Sequence, residues 1–231
     1  MIYPYGFFDP TMIILIPAII FTLYAQSKVK SNFQKYIQVQ TRRGYSGFQV
    51  ARMLLNQNGL HDIPIELANG QLSDHYDPIK RVLRLSSEIY QGSSVASVSV
   101  AAHEVGHAIQ HANGYVPLHL RNMVFPVARF GSSAGWIFIM VGLFIPSLGM
   151  FMDIGILLFA AAVLFQLITL PVEFNASKRA LEMLSSNGIV YDDETKGAQN
   201  VLRAASLTYV AAMASGMAQL MRLILIRNRR R

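Results

Sequence analysis

Two long stretches without a single lysine or arginine constrain this chain more than any other feature: residues 1–27 and residues 130–172. All 20 basic residues lie outside them, and only 14% of the 231 residues are charged, whereas an ordinary soluble chain has roughly 25%. An α-helix needs about 20 apolar residues to cross the hydrocarbon core of a bilayer. The pattern therefore predicts an integral membrane protein and excludes a purely soluble globule and a disordered chain.

The charges around the first apolar stretch predict its orientation. Residues 10–27 are uncharged, only Asp9 precedes them, and Lys28 and Lys30 follow. A cleavable signal peptide would begin with basic residues, so we expect residues 1–27 to form a transmembrane anchor. Because basic residues favour the cytoplasmic side, the N-terminus is predicted outside and the following chain in the cytoplasm. The net charge is +7, and the basic residues that produce it lie beside the apolar segments. The predicted partner is therefore the lipid bilayer and not nucleic acid.

The second apolar stretch predicts a transmembrane helical hairpin over residues 123–172. Its two uncharged runs, residues 130–152 and 154–172, are 23 and 19 residues long. Residues 146–149, with the sequence Pro-Ser-Leu-Gly, supply the turn, so both ends of the hairpin are predicted to be cytoplasmic. Asp153 separates the runs beside this turn, where outside water reaches it, and we therefore assign it no catalytic role.

A third uncharged stretch, residues 204–221, is richer in small residues than in large apolar ones. It is followed by Arg222, Arg227 and the basic residues 229–231. A crossing would carry this basic cluster outside, against the positive-inside rule. The sequence therefore favours a C-terminal helix, within residues 204–231, that packs on the protein or on the membrane surface, with a fourth crossing as the alternative.

Residues 28–122 have ordinary polarity and contain the strand-like segments of the chain. The predicted elements are a helix over residues 44–58 ended by Gly59, short strands over 63–67 and 81–85 around a loop rich in Asp and His, and a second helix capped by Ser93 or Ser94 that ends at Asn113. The predicted fold class is mainly α with a small β-sheet, in an integral membrane protein.

The chemistry is concentrated in the second of these helices, at the sequence His-Glu-Val-Gly-His of residues 103–107. His103 and His107 are one turn apart on the same helix face, so both imidazoles can bind one cation, and Glu104 can contact a water bound to it. Without cysteine in the chain, no thiolate can serve as a ligand. Zinc is the predicted cofactor, and a pair of satisfied core histidines is the alternative.

A catalytic zinc ion needs a third protein ligand. His111 is eight residues from His103, about 12 Å along the helix axis, which is too far for both to share an ion with His107. The metzincin pattern also fails, because Gln110 and Asn113 occupy the positions of its glycine and third histidine.

Glu173, directly after the hairpin, is the better third-ligand candidate, in a segment of residues 173–203 that Pro171 is suited to open as a helix. Glu182 is the rival ligand. Alternatively, Glu173 is only a carboxylate at a helix N-terminus, stabilised by the helix dipole.

Three segments together resemble the membrane-bound zinc metallopeptidases of the YugP type: HEVGHAIQH preceded by SSVASVSVAA, the earlier YDPIKRVLRLS, and the later PVEFNASKRAL. The resemblance extends over most of the chain. The active-site plan is similar to that of the HtpX and CAAX-prenyl membrane proteases of the gluzincin group, in which a Glu of an ExxxD-like helix is the third zinc ligand. The resemblance implies an integral membrane, zincin-like metallopeptidase in which His103, His107 and Glu173 bind zinc and Glu104 is the general base.

The chain departs from the gluzincin pattern at Ser177, where an Asp would normally orient a ligand histidine. Asn175 or Ser177 are the possible substitutes. The oxyanion stabiliser stays open among five residues whose types suit the role: His75, Tyr76, His111, His119 and Tyr209.

The predicted activity is hydrolysis of peptide bonds in a protein or peptide substrate at the cytoplasmic face of the cell membrane. The strand at residues 81–85 precedes the metal helix as the edge strand of zincins does, so Val82, Leu83, Arg84 and Leu85 are predicted to bind substrate backbone. The alternative function is a membrane scaffold or chaperone-like protein with a non-catalytic zinc site, and a metal transporter is the third hypothesis. A membrane protein partner and a homo-oligomer both stay open.

Overall fold

The computed structural model describes residues 10–70 and 72–229. Met1–Asp9, Gln71, Arg230 and Arg231 lie outside the described residues, and with them Asp9, which entered the topology prediction, and the end of the basic tail. After a 3-10 turn at Pro10–Ile14, the elements in chain order are α1 (Leu15–Tyr36), α2 (Gly47–Gln57), β1 (Ile65–Ala68), β2 (His75–Asp77), β3 (Val82–Ser86), α3 (Ser87–Gln91), α4 (Val95–Ala112), α5 (Val116–Phe144), α6 (Gly149–Ser186) and α7 (Asp192–Asn228). The mainly helical fold with a small sheet is confirmed.

The described chain divides into two compact units. The first, called the helical unit, contains residues 10–25, 120–169 and 209–229. The second, called the sheet unit, contains residues 26–119 and 170–208. Each long helix therefore contributes segments to both units.

Within the described residues, four helices are long and apolar enough to cross a membrane: Pro10–Tyr36, Val116–Phe144, Gly149–Ser186 and Asp192–Asn228. The fourth is α7, for which a crossing was the less favoured alternative. Within the helical unit, Arg227 of α7 forms a two-bond ion pair with Asp153 of α6, at 2.6 and 2.7 Å. Arg222 also donates to the Thr11 hydroxyl at 3.3 Å. The end of α7 thus packs beside the α5–α6 turn.

Glycine allows the α5–α6 hairpin to pack closely. A Cβ added at Gly131 would lie 2.7 Å from the carbonyl oxygen of Leu158 on α6. Real Cβ atoms do not approach a backbone oxygen this closely, so the helices could not keep this separation with a larger residue.

The prediction that Pro171 opens a helix is wrong, because α6 continues through it from Gly149 to Ser186. Proline removes one backbone donor, and a long apolar helix packed against its neighbours tolerates that loss. Glu173 therefore lies in a helix interior, which removes the interpretation of Glu173 as an N-terminal carboxylate held by the helix dipole.

The sheet unit contains a three-stranded sheet in the order β1-β3-β2. β1 pairs with β3 in parallel and β2 pairs with β3 antiparallel, with Leu83 opposite both Ile65 and Tyr76. The prediction that residues 81–85 form an edge strand is therefore wrong, and Val82, Leu83, Arg84 and Leu85 have no open edge for a substrate strand. The short strand β2 comes from the loop rich in Asp and His, where no alternating pattern indicated it.

The helices α2 and α4 end where the sequence predicts, but α2 begins at Gly47 and not at residue 44. Ser46 and Gln49 form a reciprocal capping box at the start of α2, and Gly59 adopts a positive φ of 73° just after its end. The Ser94 hydroxyl caps α4 by accepting from the Ser97 amide. These caps fix where α4, the helix with the two histidines, begins.

Candidate metal centre

Three side chains of the sheet unit converge at one point: His103 and His107 of α4, and Glu173 of α6. Glu173 Oε2 lies 3.3 Å from His103 Nε2 and 3.5 Å from His107 Nε2. The possible ligand atoms all lie within 4.8 Å of one another, and among the described residues this is the group that could hold a metal ion. The structure therefore brings together the three residues that the sequence predicts as ligands.

This spacing matches what a zinc ion requires. Zinc bound tetrahedrally at about 2.0–2.1 Å keeps its ligand atoms roughly 3.3 Å apart. The two distances from Glu173 to the histidines are close to that value. Two imidazoles and a carboxylate are also a donor set found in catalytic zinc sites, which keep the fourth position for water.

Close approach of α4 and α6 makes the cluster possible. A Cβ at Gly106 would lie 2.8 Å from the carbonyl oxygen of Ala176, so a larger residue there would push the two helices apart. Gly106 lies between His103 and His107 in sequence, and Glu173 lies one turn before Ala176 on α6. The close contact at Gly106 therefore brings Glu173 into range of both histidines.

Each histidine has a polar partner at its other ring nitrogen. The Gln110 carbonyl oxygen lies 3.0 Å from His107 Nδ1, and the Ser177 hydroxyl lies 3.2 Å from His103 Nδ1. Ser177 also contacts the Ser206 hydroxyl at 3.3 Å. Of the two expected substitutes for the missing Asp, Ser177 contacts His103 directly, whereas Asn175 contacts Gln110.

Gln110 is the residue of the site that sequence reasoning missed. It was considered only as a departure from the metzincin pattern, although it lies three residues after His107 and so on the same helix face. That spacing was the available signal. Its contacts on α6 could not be read from sequence.

Glu104 is 8% exposed and lies beside the two histidines in sequence. Its Oε2 accepts a hydrogen bond of 2.9 Å from the Tyr76 backbone amide of β2. This amide points away from β3, so the open edge of β2 faces α4, the helix that carries His103 and His107.

The carboxylate of Glu173 changes the proton affinity of His107. Burial disfavours the charged imidazolium, but hydrogen bonding and charge from Glu173 outweigh it and raise the pKa of His107 above its ordinary value of 6.5. A metal ion that binds His107 has to displace this proton.

The other candidate ligands lie outside the cluster. The Glu182 carboxylate is 63% exposed and lies 3.7 Å from Lys178. His111 Nδ1 lies 2.9 Å from the Tyr76 hydroxyl, and burial together with His119 and Arg81 lowers the pKa of His111. His111 therefore pairs with β2 and is not among the grouped ligands.

Comparison with known proteins agrees with this geometry. The family described as "Putative neutral zinc metallopeptidase" matches residues 11–228. The chain is also 48% identical over 211 residues to "Putative membrane protease YugP" of Bacillus subtilis (strain 168), which covers 91% of this chain and 93% of that protein. No solved structure matches the chain. These comparisons confirm the resemblance that the motifs indicate.

Proposed function

The chain belongs to the family of neutral zinc metallopeptidases, and from this we propose that it is a membrane-embedded zinc protease that hydrolyses peptide bonds. The observation that carries the proposal is the convergence of His103, His107 and Glu173 beside Glu104. We assign the three grouped residues as zinc ligands and Glu104 as general base. A purely structural zinc site would close all four positions and would have no use for Glu104.

Zinc, Glu104 and the Tyr76 amide have different roles in the proposed reaction. Zinc, when bound, supplies Lewis acidity that activates water and polarises the scissile carbonyl. Glu104 accepts the proton of the attacking water and delivers it to the leaving amine as the carbon–nitrogen bond breaks. The Tyr76 amide holds Glu104 at Oε2, which leaves Oε1 to take part in proton transfer.

Removal and return of the metal tests this function. The purified protein is expected to contain about one zinc ion per chain and to cleave an unfolded generic protein such as casein. A chelator should abolish cleavage, and added zinc should restore it, because the ligands are part of the folded site. Metal-free protein that cleaves the substrate at the same rate would contradict the proposal.

We assign substrate backbone binding to the open edge of β2 in place of β3. A peptide lying along this edge passes Glu104, to which the Tyr76 amide already points. β2 contains only His75–Asp77, so the contact with substrate is short.

Tyr76→Pro tests the outward amide, which holds Glu104 beside the proposed peptide path, because proline removes this amide and is tolerated on an edge strand. We expect kcat/KM to fall about tenfold or more relative to Tyr76→Ala, which loses the same side chain but keeps the amide. Measurements on one peptide substrate would compare them. A fall in kcat alone would report the loss of the contact with Glu104, whereas a rise in KM would report weaker binding of the peptide to β2. Equal rates and an equal KM for the two variants would exclude both roles.

We propose that the N-terminal end of α1 and the α5–α6 turn face outside and that the metal centre faces the cytoplasm. Lys28, Lys30 and Lys35 at the end of α1 support this orientation. The arginines of α7 oppose it if that helix crosses, but Arg227 is neutralised by its ion pair with Asp153. The pair thus lowers the cost of a fourth crossing.

Cysteine labelling tests the orientation cleanly, since the chain has no native cysteine. Ser147→Cys, in the α5–α6 turn, should react with a membrane-impermeant thiol reagent added to intact cells. His61→Cys, at an exposed position of the sheet unit, should react only after the membrane is opened. Labelling of His61→Cys in intact cells would overturn the orientation.

A further inference from the structure

Gln110 is a fully buried polar side chain placed between two helices of the sheet unit. Its carbonyl oxygen lies 3.0 Å from His107 Nδ1 on its own helix. Its amide nitrogen donates to the Val172 carbonyl oxygen at 2.8 Å and to Asn175 Oδ1 at 3.0 Å, both on α6. One side chain therefore contacts a histidine of the metal cluster and the residue directly before Glu173.

These contacts determine which nitrogen of His107 carries a proton. The Val172 carbonyl can only accept a hydrogen bond, so the nitrogen of the Gln110 amide must face it. The oxygen of the amide then faces His107 and can only accept, which makes Nδ1 of His107 the protonated nitrogen. Nε2, 3.5 Å from Glu173 Oε2, is then the nitrogen that would release its proton and bind the metal.

The contacts on α6 act on the third ligand. Val172 is adjacent to Glu173, and Asn175 is held in turn by Arg179, whose Nε donates to the same Oδ1 at 2.8 Å. The Gln110 amide therefore adds a hydrogen bond to α6 from outside the helix, at the carbonyl directly before Glu173.

We propose that Gln110 is a positioning residue for zinc, which fixes the Nδ1-protonated form of His107 and ties α4 to the α6 segment that holds Glu173. The inference rests on the proposed function for the identity of the metal. It concerns zinc affinity rather than peptide cleavage, so the two can fail separately: a wild-type protein that binds zinc without cleaving peptides would contradict only the function.

Two substitutions separate the two contacts. Gln110→Met removes both, and we expect zinc affinity, measured by chelator competition, to fall by about 10–100-fold. Gln110→Glu keeps an acceptor for His107 but puts an oxygen against the Val172 carbonyl, and we expect a loss of about tenfold or more. Cobalt substituted for zinc should give an altered visible spectrum in both, because the ligand geometry changes.

Ser99→Ala is the matched control. Ser99 is a fully buried polar residue of α4 whose hydroxyl donates back to the Val95 carbonyl, eight residues before His103, and has no hydrogen bond to the grouped side chains among the described contacts. It should lower thermal stability while leaving zinc affinity and the cobalt spectrum unchanged. Zinc affinity of Gln110→Met within twofold of wild type would overturn the proposal. If Gln110→Glu alone kept the zinc affinity of the wild type, the contact between Gln110 and α6 would have no role in zinc binding.

Discussion

Replacing Glu104 with glutamine is expected to lower kcat/KM for peptide hydrolysis by about a thousandfold or more while leaving zinc bound. Glutamine has nearly the same shape and keeps an oxygen that can accept from the Tyr76 amide, a bond of 2.9 Å in the wild-type protein. It cannot accept a proton from water. The loss should therefore appear in catalysis and not in folding or metal content.

Steady-state rates on one peptide, together with zinc analysis of the same sample, measure this effect. Glu66→Gln is the control, since Glu66 is an exposed residue of β1 that pairs with Arg84. It should leave both activity and zinc unchanged. Near-normal hydrolysis by Glu104→Gln with zinc retained would show that another group acts as the base.

Replacing Glu173 with alanine is expected to weaken zinc binding by more than about a hundredfold, because it removes a direct ligand. The loss of zinc affinity should exceed the loss caused by replacing Gln110 or Ser177, whose side chains contact the histidines at Nδ1. Glu173 is 2% exposed, so alanine also leaves space in the contact between α4 and α6. Thermal unfolding of the metal-free variant measures that structural cost separately from zinc affinity.

Two control variants test whether the loss of zinc affinity is specific to Glu173. Glu182→Ala, on the same helix, removes an exposed carboxylate that pairs only weakly with Lys178. His111→Ala removes the next histidine of α4, whose partner is the Tyr76 hydroxyl. Both should keep wild-type zinc affinity. Full zinc affinity in Glu173→Ala, or its loss in Glu182→Ala, would move the third ligand elsewhere.

The local features of the fold were predictable because they depend on neighbouring residues. Stretches without charge indicated the apolar helices, and the spacing of His103 and His107 placed two imidazoles on one helix face. Gly59 indicated the end of α2, and a serine cap and Asn113 indicated the two ends of α4. The periodicity of a helix or the cost of a charge in a bilayer can be evaluated within a few turns of chain.

Predictions failed or stopped short where distant partners decide the structure. Pro171 has the local properties of a helix start, but packing of the continuous apolar helix overrides them. β3 precedes the helix with the two histidines, as the edge strand of zincins does, yet β1 pairs with one side of β3 and β2 pairs with the other. A strand's place in a sheet depends on what pairs with it, and no property of the strand alone reveals that.

The amino-acid sequence by itself determined the apolar segments, the helix bearing His103, Glu104 and His107, and the choice of Glu173 as the leading third ligand. Only the tertiary structure decided that Glu173 Oε2 lies 3.3 and 3.5 Å from the two histidines and that Gln110 joins their helix to α6. These contacts require two helices to approach at Gly106 and Ala176. Helix geometry fixes side chains a turn apart, whereas side chains on different helices meet only where the packing of the whole unit brings them together.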